Sequence, residues 1–408
     1  MGLVYQGQEL QFGEDQKISL PALVAKHGSE PFYLYDLDGM RTRVRTLKKV
    51  FPGIQPHYAM KANGAKRVLR TFLDEKIGVD VVSGGEIKLA LAAGFQGKDI
   101  IFSGVGKSRA EIELAIGREI RQINIESPEE LKRIIEMAKA AGKKPRVAFR
   151  INPDVDPKTH PYIATGFREN KFGMGEHFVP ELREILKTFG HSVELVGLTL
   201  HIGSQLRDLR PLEDAIQKTL PLYEVFKKDG HPLRTFDIGG GVGISYEEEH
   251  RDPPRDLELL EGYGQLLRRA LKGFSGEILC EPGRILVGSC GTLVSEVQYV
   301  KETPDRAFLI VNTGIHHLIR PALYQAMHRI LPVQLHPGRP RKIYDIVGPI
   351  CESSDVLGKQ REFQQTFAGE SLAIADAGAY GYSMASTYNE HEMPTEYFWE
   401  KGQLSRGE

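Results

Sequence analysis

The chain has 408 residues, which at about 150 residues per domain leaves room for two or three domains and a substantial core. Hydrophobic residues at 41% and charged residues at 26% exclude wholesale disorder, collagen-like repetition and disulfide scaffolds. With 53 Lys plus Arg against 54 Asp plus Glu, a net charge of −1, no global field draws the chain to nucleic acid or anionic lipid, and a small-molecule partner is expected instead. No apolar run approaches a membrane span, and residues 1–17 lack a basic region followed by an apolar one, so a cytoplasmic protein is expected. Cys280, Cys290 and Cys351 are odd in number and form no Cys-x-x-Cys, which argues against both a disulfide framework and a zinc site.

From Pro56 to Gly283, eight β-rich runs alternate with helical patterns: 57–61, 79–83, 100–104, 123–126, 147–151, 195–202, 236–239 and 278–281. One helix is strongly signalled, with Ser127 as N-cap, Pro128 at the first helical position, Glu130 completing Ser-x-x-Glu, and Leu131, Ile134, Ile135 and Ala138 on one face. Eight strand–helix units over this length predict an α/β fold with a (β/α)8 TIM-type barrel, whereas a doubly wound sheet more often stops at five or six strands. Residues 254–272 read as the last barrel helix. After Gly283 the pattern changes to β runs at 292–300, 307–311, 342–347 and 371–375, separated by Pro and Gly clusters. The expected division is a barrel over 29–278 and a mainly β domain over 279–408, joined by residues 1–28.

Four segments fall at the carboxyl ends of expected barrel strands, where the catalytic groups of this architecture collect. They are His57 to Asn63, containing Lys61; His201 to Gln205, containing Ser204; Asp237 to Gly243, containing Gly240 and Gly241; and Glu281 to Arg284, containing Gly283. Each has a bland alternative: a strand-end lysine is usually a solvated rim residue, a lone histidine a satisfied structural one, and a glycine run a tight turn. Together they place an amine, an aromatic base, a backbone cradle for phosphate, a carboxylate and an arginine around one barrel mouth. That set meets the needs of pyridoxal 5′-phosphate (PLP): an amine to join it, N–H groups for its phosphate and a carboxylate for its ring nitrogen. The glycine run is no dinucleotide fingerprint, because Ile244 stands where the last glycine of G-x-G-x-x-G belongs. Residues 103–108 mimic a P-loop but fail the pattern at Ile101. In the β region, Cys351 sits among Gly, Pro, Ser and acids with Glu352 beside it, while Cys280 and Cys290 read as small buried hydrophobes. Arg320 to Tyr324 and Asp376 to Tyr382 complete the candidates, with simple turn chemistry as their alternative.

These segments, in this order, resemble the fold-type III PLP decarboxylases, and within them the diaminopimelate decarboxylases, over nearly the whole chain from Phe32 to Tyr388. The resemblance implies that Lys61 carries the cofactor, His201 stacks on its ring and Glu281 partners its pyridine nitrogen. It further implies that Ser204, Gly240, Gly241, Gly283, Arg284 and Tyr380 contact the cofactor, chiefly its phosphate, with Asp80 and Arg150 lining the inner shell. Arg284, Arg320, Tyr324, Glu352 and Tyr380 become substrate contacts. Cys351 and Glu352 resemble the pair that one subunit inserts into its partner's site, so a homodimer with shared sites and Cys351 as proton donor is implied.

The sequence departs from that pattern at three places: Val105 and Gly106 replace two asparagines, Asn312 replaces an aspartate, and Glu390-His391-Glu392 stands where relatives read Ser-Arg-Pro. The last bears on the distal end of the substrate, since an arginine fork suits a carboxylate and acids suit a bare amine. Arg320 favours meso-2,6-diaminopimelate. A sister decarboxylase acting on lysine, ornithine, arginine or carboxynorspermidine, an amino-acid racemase, and a non-catalytic PLP-binding protein are the rival readings.

Overall fold

The computed structural model describes residues 2–157, 170–246 and 255–407. Two compact units emerge, one comprising residues 44–243 and 257–283, the other residues 1–43, 244–256 and 284–408.

The first unit is a closed barrel of eight parallel strands. We number them β1 (Ile54–Ala59), β2 (Gly78–Val81), β3 (Ile100–Phe102), β4 (Gln122–Ile125), β5 (Arg146–Ile151), β6 (Glu194–Leu200), β7 (Thr235–Asp237) and β8 (Glu277–Cys280). All eight β runs of the sequence become barrel strands, and the barrel closes where β8 pairs with β1. The strands alternate with helices because the apolar period switches from 2 to 3.6 between them. In the helix Pro128–Ala141, Leu131, Ile134, Ile135 and Ala138 are buried, Ser127 Oγ accepts from Glu130 N, and Gly142 ends it in the left-handed region. The expected capping box is only half made. Instead of returning to the N-cap, Glu130 Oε2 accepts from Glu126 N at 2.7 Å and Oε1 accepts from Lys107 at 2.8 Å. The last barrel helix runs Arg255–Ala270; Pro254 lies outside the described residues.

The second unit is mainly β. Its central strand, Gly291–Glu302, pairs with Phe32–Asp36, Ala307–Val311 and Ser371–Ile374. Arg341–Val347 and Val356–Gln364 extend one side of the sheet, and Thr395–Glu400 with Gln403–Arg406 the other. Its core gathers Leu10, Phe12, Leu20, Leu23, Phe32, Leu34, Val294, Ala373, Tyr397 and Trp399, each large side chain contributing about 1.5–3 kcal/mol on burial. The division differs from the expected boundaries of 29 and 278 in three respects, one being that residues 244–256, expected in the barrel, group with the second unit. Phe32–Asp36 is a strand of this sheet, and β8 continues to Cys280 within the barrel. The physical reason is pairing: Phe32–Asp36 is buried at every position, and nothing in such a run specifies which sheet will receive it.

Candidate active site

The carboxyl ends of the barrel strands bring the expected groups of the first unit together. Lys61 follows β1 in a single 3-10 turn, and its Nζ donates to Asp80 Oδ2 at 3.1 Å. Asp80, on β2, is fully buried, and its Oδ1 has no hydrogen-bond partner. Arg150, at the end of β5, pairs with Glu126 at 2.8 Å, both largely buried, and its guanidinium lies 4.9 Å from the Phe172 ring centre. His201 follows β6, and its Nδ1 accepts from Gly240 N at 3.2 Å. Desolvation first, then the charges of Arg150 and Lys61, drive its pKa well below the usual imidazole range, so the ring is neutral. Ser204 lies on the same loop.

Glu281 follows β8, and its Oε1 accepts from Ser103 Oγ at 3.2 Å and Asn124 Nδ2 at 3.3 Å. Burial, then the charges of Asp237 and Asp80, raise its pKa well above the carboxylate range, with Lys61 and Arg150 opposing. Asp237, at the end of β7, is raised to about 7 chiefly by burial. Its Oδ1 accepts from Gly239 N at 2.9 Å, and its side chain also lies within hydrogen-bond reach of the Glu281 carboxyl. Asp237 was not singled out in the sequence; an acid directly before a glycine run at a strand end was the available signal.

The glycine run has a packing cause of its own. A Cβ on Gly239, Gly240 or Gly241 would lie 2.1 Å from the carbonyl oxygen of Leu200, Glu281 or Gly203 respectively, and Gly239 and Gly241 have φ of +66° and +104°. Gly283 is tight against the Ala59 and Ala62 side chains. The P-loop lookalike also resolves: Lys107 Nζ is turned inward onto Gly104 O, Asn124 O and Glu130, so it presents no cation to a nucleotide.

In the second unit the remaining candidates form two groups. Arg284 donates to Tyr246 Oη at 2.7 Å and stands 4.8 Å over the Tyr380 ring, while Arg320 lies 4.5 Å over Tyr246. Arg320 is 4% exposed, bonds His328 Nε2 at 2.7 Å and makes no ion pair among the described residues. Burial lowers its pKa, and the Arg284 charge adds to this. Tyr380 occupies the left-handed region at φ 56°, uncommon for an aromatic residue. Tyr324 ends the short helix Arg320–Tyr324. Tyr246 escaped the sequence reading.

The second group surrounds Cys351, which is exposed whereas Cys280 and Cys290 are buried. Glu352 Oε1 accepts from Tyr388 Oη at 2.8 Å. The loop is pinned by Asp355, whose Oδ1 and Oδ2 accept from Ile315 N and Ile350 N, both at 2.7 Å. A Cβ on Gly314 or Gly348 would lie 2.4 Å from that carboxylate. Glu390 and Glu392 are exposed, and His391 packs on His316 at 4.6 Å. Asn312 uses both ends of its amide, donating to Ser29 O and accepting from Ser295 Oγ and Glu296 N. An aspartate could not make the first of these bonds.

The donor set of the barrel mouth fits PLP. Four carboxylates, Asp80, Glu126, Asp237 and Glu281, face two cations, Lys61 and Arg150, and Asp80 Oδ1 is buried without a partner. A protonated pyridine ring would offset that excess of acid. The model of the pyridoxal-dependent decarboxylase pyridoxal-binding domain matches residues 37–288. A diaminopimelate decarboxylase of Aquifex aeolicus is 40% identical over 393 residues, 95% of this chain and 90% of that protein. The chain belongs to the diaminopimelate decarboxylases. Within the family, a Helicobacter pylori member is 43% identical over 361 residues, 88% of this chain and 87% of that protein. A crystal structure of the diaminopimelate decarboxylase from Helicobacter pylori complexed with L-lysine superposes with a TM-score of 0.87 at 40% identity, covering 95% of each chain. No helix among the described residues is long and apolar enough to cross a membrane.

Proposed function

We propose that this chain catalyses the PLP-dependent decarboxylation of meso-2,6-diaminopimelate to L-lysine and CO2, as a cytoplasmic homodimer with shared active sites. One observation carries the reading: a strand-end amine, Lys61, held by the buried Asp80, shares a barrel mouth with the buried acid Glu281, and its charge is felt there. The intact Arg320, Tyr324, Cys351 and Glu352 segments support diaminopimelate over a diamine monocarboxylate.

When bound, PLP supplies an electron sink for the pair left by departing CO2. Lys61 would hold the cofactor through its amine, and Asp80 orients the Lys61 ammonium at 3.1 Å. His201, neutral and fixed at Nδ1 by Gly240 N, offers a flat face to the cofactor ring without adding charge. Glu281 holds a proton toward the ring nitrogen. Gly240, Gly241, Gly283 and Ser204 supply a close backbone and a hydroxyl for the phosphate, and Arg284 and Tyr380 a cation and a phenol. Arg320 and Tyr324 bind substrate carboxylate, where a planar fork fits both oxygens. Cys351 of the partner subunit delivers the proton that replaces CO2, with the partner's Glu352 orienting the substrate.

The test is product analysis. Purified protein with PLP is incubated separately with meso-diaminopimelate, lysine, ornithine and arginine, and CO2 and amine products are measured. L-lysine and CO2 from diaminopimelate alone are expected; turnover of a diamine monocarboxylate instead, or inversion without CO2, refutes the substrate or the reaction. Borohydride should fix the cofactor to the peptide containing Lys61, and a label on any other lysine overturns that assignment.

A further inference from the structure

A chain of uncharged side chains runs through the barrel interior and ends on Glu281. Thr235 Oγ1 donates to Gln122 Oε1 at 3.0 Å, and Gln122 Nε2 donates to Asn124 Oδ1 at 2.7 Å. Asn124 Nδ2 then donates both to Ser103 Oγ at 2.9 Å and to Glu281 Oε1 at 3.3 Å, while Ser103 Oγ donates to that same Oε1 at 3.2 Å. All five residues are buried, Gln122 and Asn124 almost completely.

Barrel interiors are ordinarily filled by branched apolar side chains. Burying two amides and two hydroxyls there is costly unless each is satisfied. The direction of the chain is dictated from the Glu281 end. A carboxylate oxygen only accepts, so Asn124 must turn its NH2 toward it; the Asn124 carbonyl then needs a donor, which is the Gln122 NH2; and the Gln122 carbonyl in turn takes the Thr235 hydroxyl. The backbone is tied down as well. Lys107 Nζ donates to Asn124 O at 2.7 Å and to Gly104 O at 2.6 Å, directly after Ser103, and Glu130 meets its charge.

We infer that Ser103, Asn124 and Gln122 are positioning residues of the reaction, holding Oε1 of Glu281 as a double acceptor so that Oε2 alone shares a proton with the pyridine nitrogen of PLP. The inference rests on the cofactor reading above. Its physical content is a balance at Glu281. Burial, Asp237 and Asp80 favour the protonated acid, and Lys61 and Arg150 favour the anion. Two donors on one oxygen add to the anionic side and fix where a proton can sit. Without them the proton moves from the ring nitrogen to Glu281, and the ring accepts electrons less readily.

The experiment uses the holoprotein loaded with PLP labelled with 15N in the ring, whose nitrogen resonance reports its protonation directly. Wild type is expected to show a protonated nitrogen. Asn124→Leu, close in size but without the amide, should move the resonance toward the unprotonated value and lower kcat at least about tenfold, equivalent to one unit in the affinity of the site for its proton, with KM unchanged. Gln122→Met should move it in the same direction by less, because it only frees the Asn124 amide to turn. Ser103→Ala removes one donor and decides the matter if Asn124→Leu does not fold, and Ser103→Thr should restore the wild-type resonance. A folded, PLP-bound Asn124→Leu or Ser103→Ala protein with the wild-type resonance overturns the inference, even if its activity falls. Failure of the wild type itself to bind PLP or release CO2 would instead overturn the functional reading, so the two failures are distinguishable.

Discussion

Asp237 is the sharpest place to test the electrostatics of the barrel mouth. Its pKa is raised from 3.8 to about 7, first by burial, with the backbone N–H of Gly239 opposing. A raised carboxylate pKa means that the folded state binds more protons than the unfolded state between these two values. Stability is therefore highest below about pH 4, falls as pH rises toward about 7, and levels off above it. About three pH units at about 1.4 kcal/mol each give an upper bound of about 4 kcal/mol for this loss. Asp237→Asn keeps the Oδ1 acceptor for Gly239 N–H and removes the ionisation. The assay is urea unfolding of the cofactor-free protein from pH 4 to 8, comparing wild type with variant at each pH so that titrating groups remote from Asp237 cancel, Glu281 being the one it hydrogen-bonds. The variant should match wild type near pH 4 and exceed it progressively, by a few kcal/mol at pH 8. A difference that does not change with pH would refute the reasoning, and one that grows toward acid pH would reverse its sign.

Glu281→Gln should retain PLP yet lose about 10²–10⁴ in kcat, because a neutral amide cannot hold the proton of the ring nitrogen; undiminished turnover would remove Glu281 from the mechanism. Arg320→Lys should raise KM for diaminopimelate by about tenfold or more, since a point charge replaces the planar fork, whereas an unchanged KM with a lowered melting temperature would assign Arg320 to its contacts with His328 and Tyr246. Mixing inactive Lys61→Ala and Cys351→Ala chains under subunit exchange should restore roughly a quarter of wild-type activity, because each mixed C2 dimer has one site with both defects and one with neither; no restoration, with exchange verified by mass spectrometry, would place both residues in the same subunit's site.

The barrel was legible because all eight of its strands carry short apolar runs closed by turn residues, and the helix after Ser127 announces its own cap and face. The unit boundary was not. Phe32–Asp36 pairs with a strand some 260 residues later in the chain, and pairing at that distance leaves no local trace in the pattern. The candidates that the barrel mouth brings together stood out in the sequence because their types are chemically unusual at strand ends. Those that support them were missed for the opposite reason. Gln122 and Asn124 are two apart on β4 and so share one face of the strand, Ile123 and Ile125 taking the other. Polar residues at i and i+2 carry no local sign of which way they face, and the inward direction becomes visible only once the barrel closes.

Two segments with similar sequence grammar show how far contacts rather than motifs decide chemistry. Residues 103–108 offer glycines and a lysine after a strand, as a phosphate site would, yet Lys107 spends its three donors on Gly104 O, Asn124 O and Glu130 and has none left for a ligand. The pair of arginines in the second unit has the converse arrangement. Arg320 is buried, stacked on Tyr246 and bonded to a neutral His328, whose pKa burial lowers to about 3. No carboxylate of the described residues meets it. A buried guanidinium that the described residues leave without an anion is destabilising unless something else supplies one. Under the proposed function a substrate carboxylate would supply that anion, and the same fork would then set specificity, because a substrate lacking the carboxylate would leave the cation buried and unpaired.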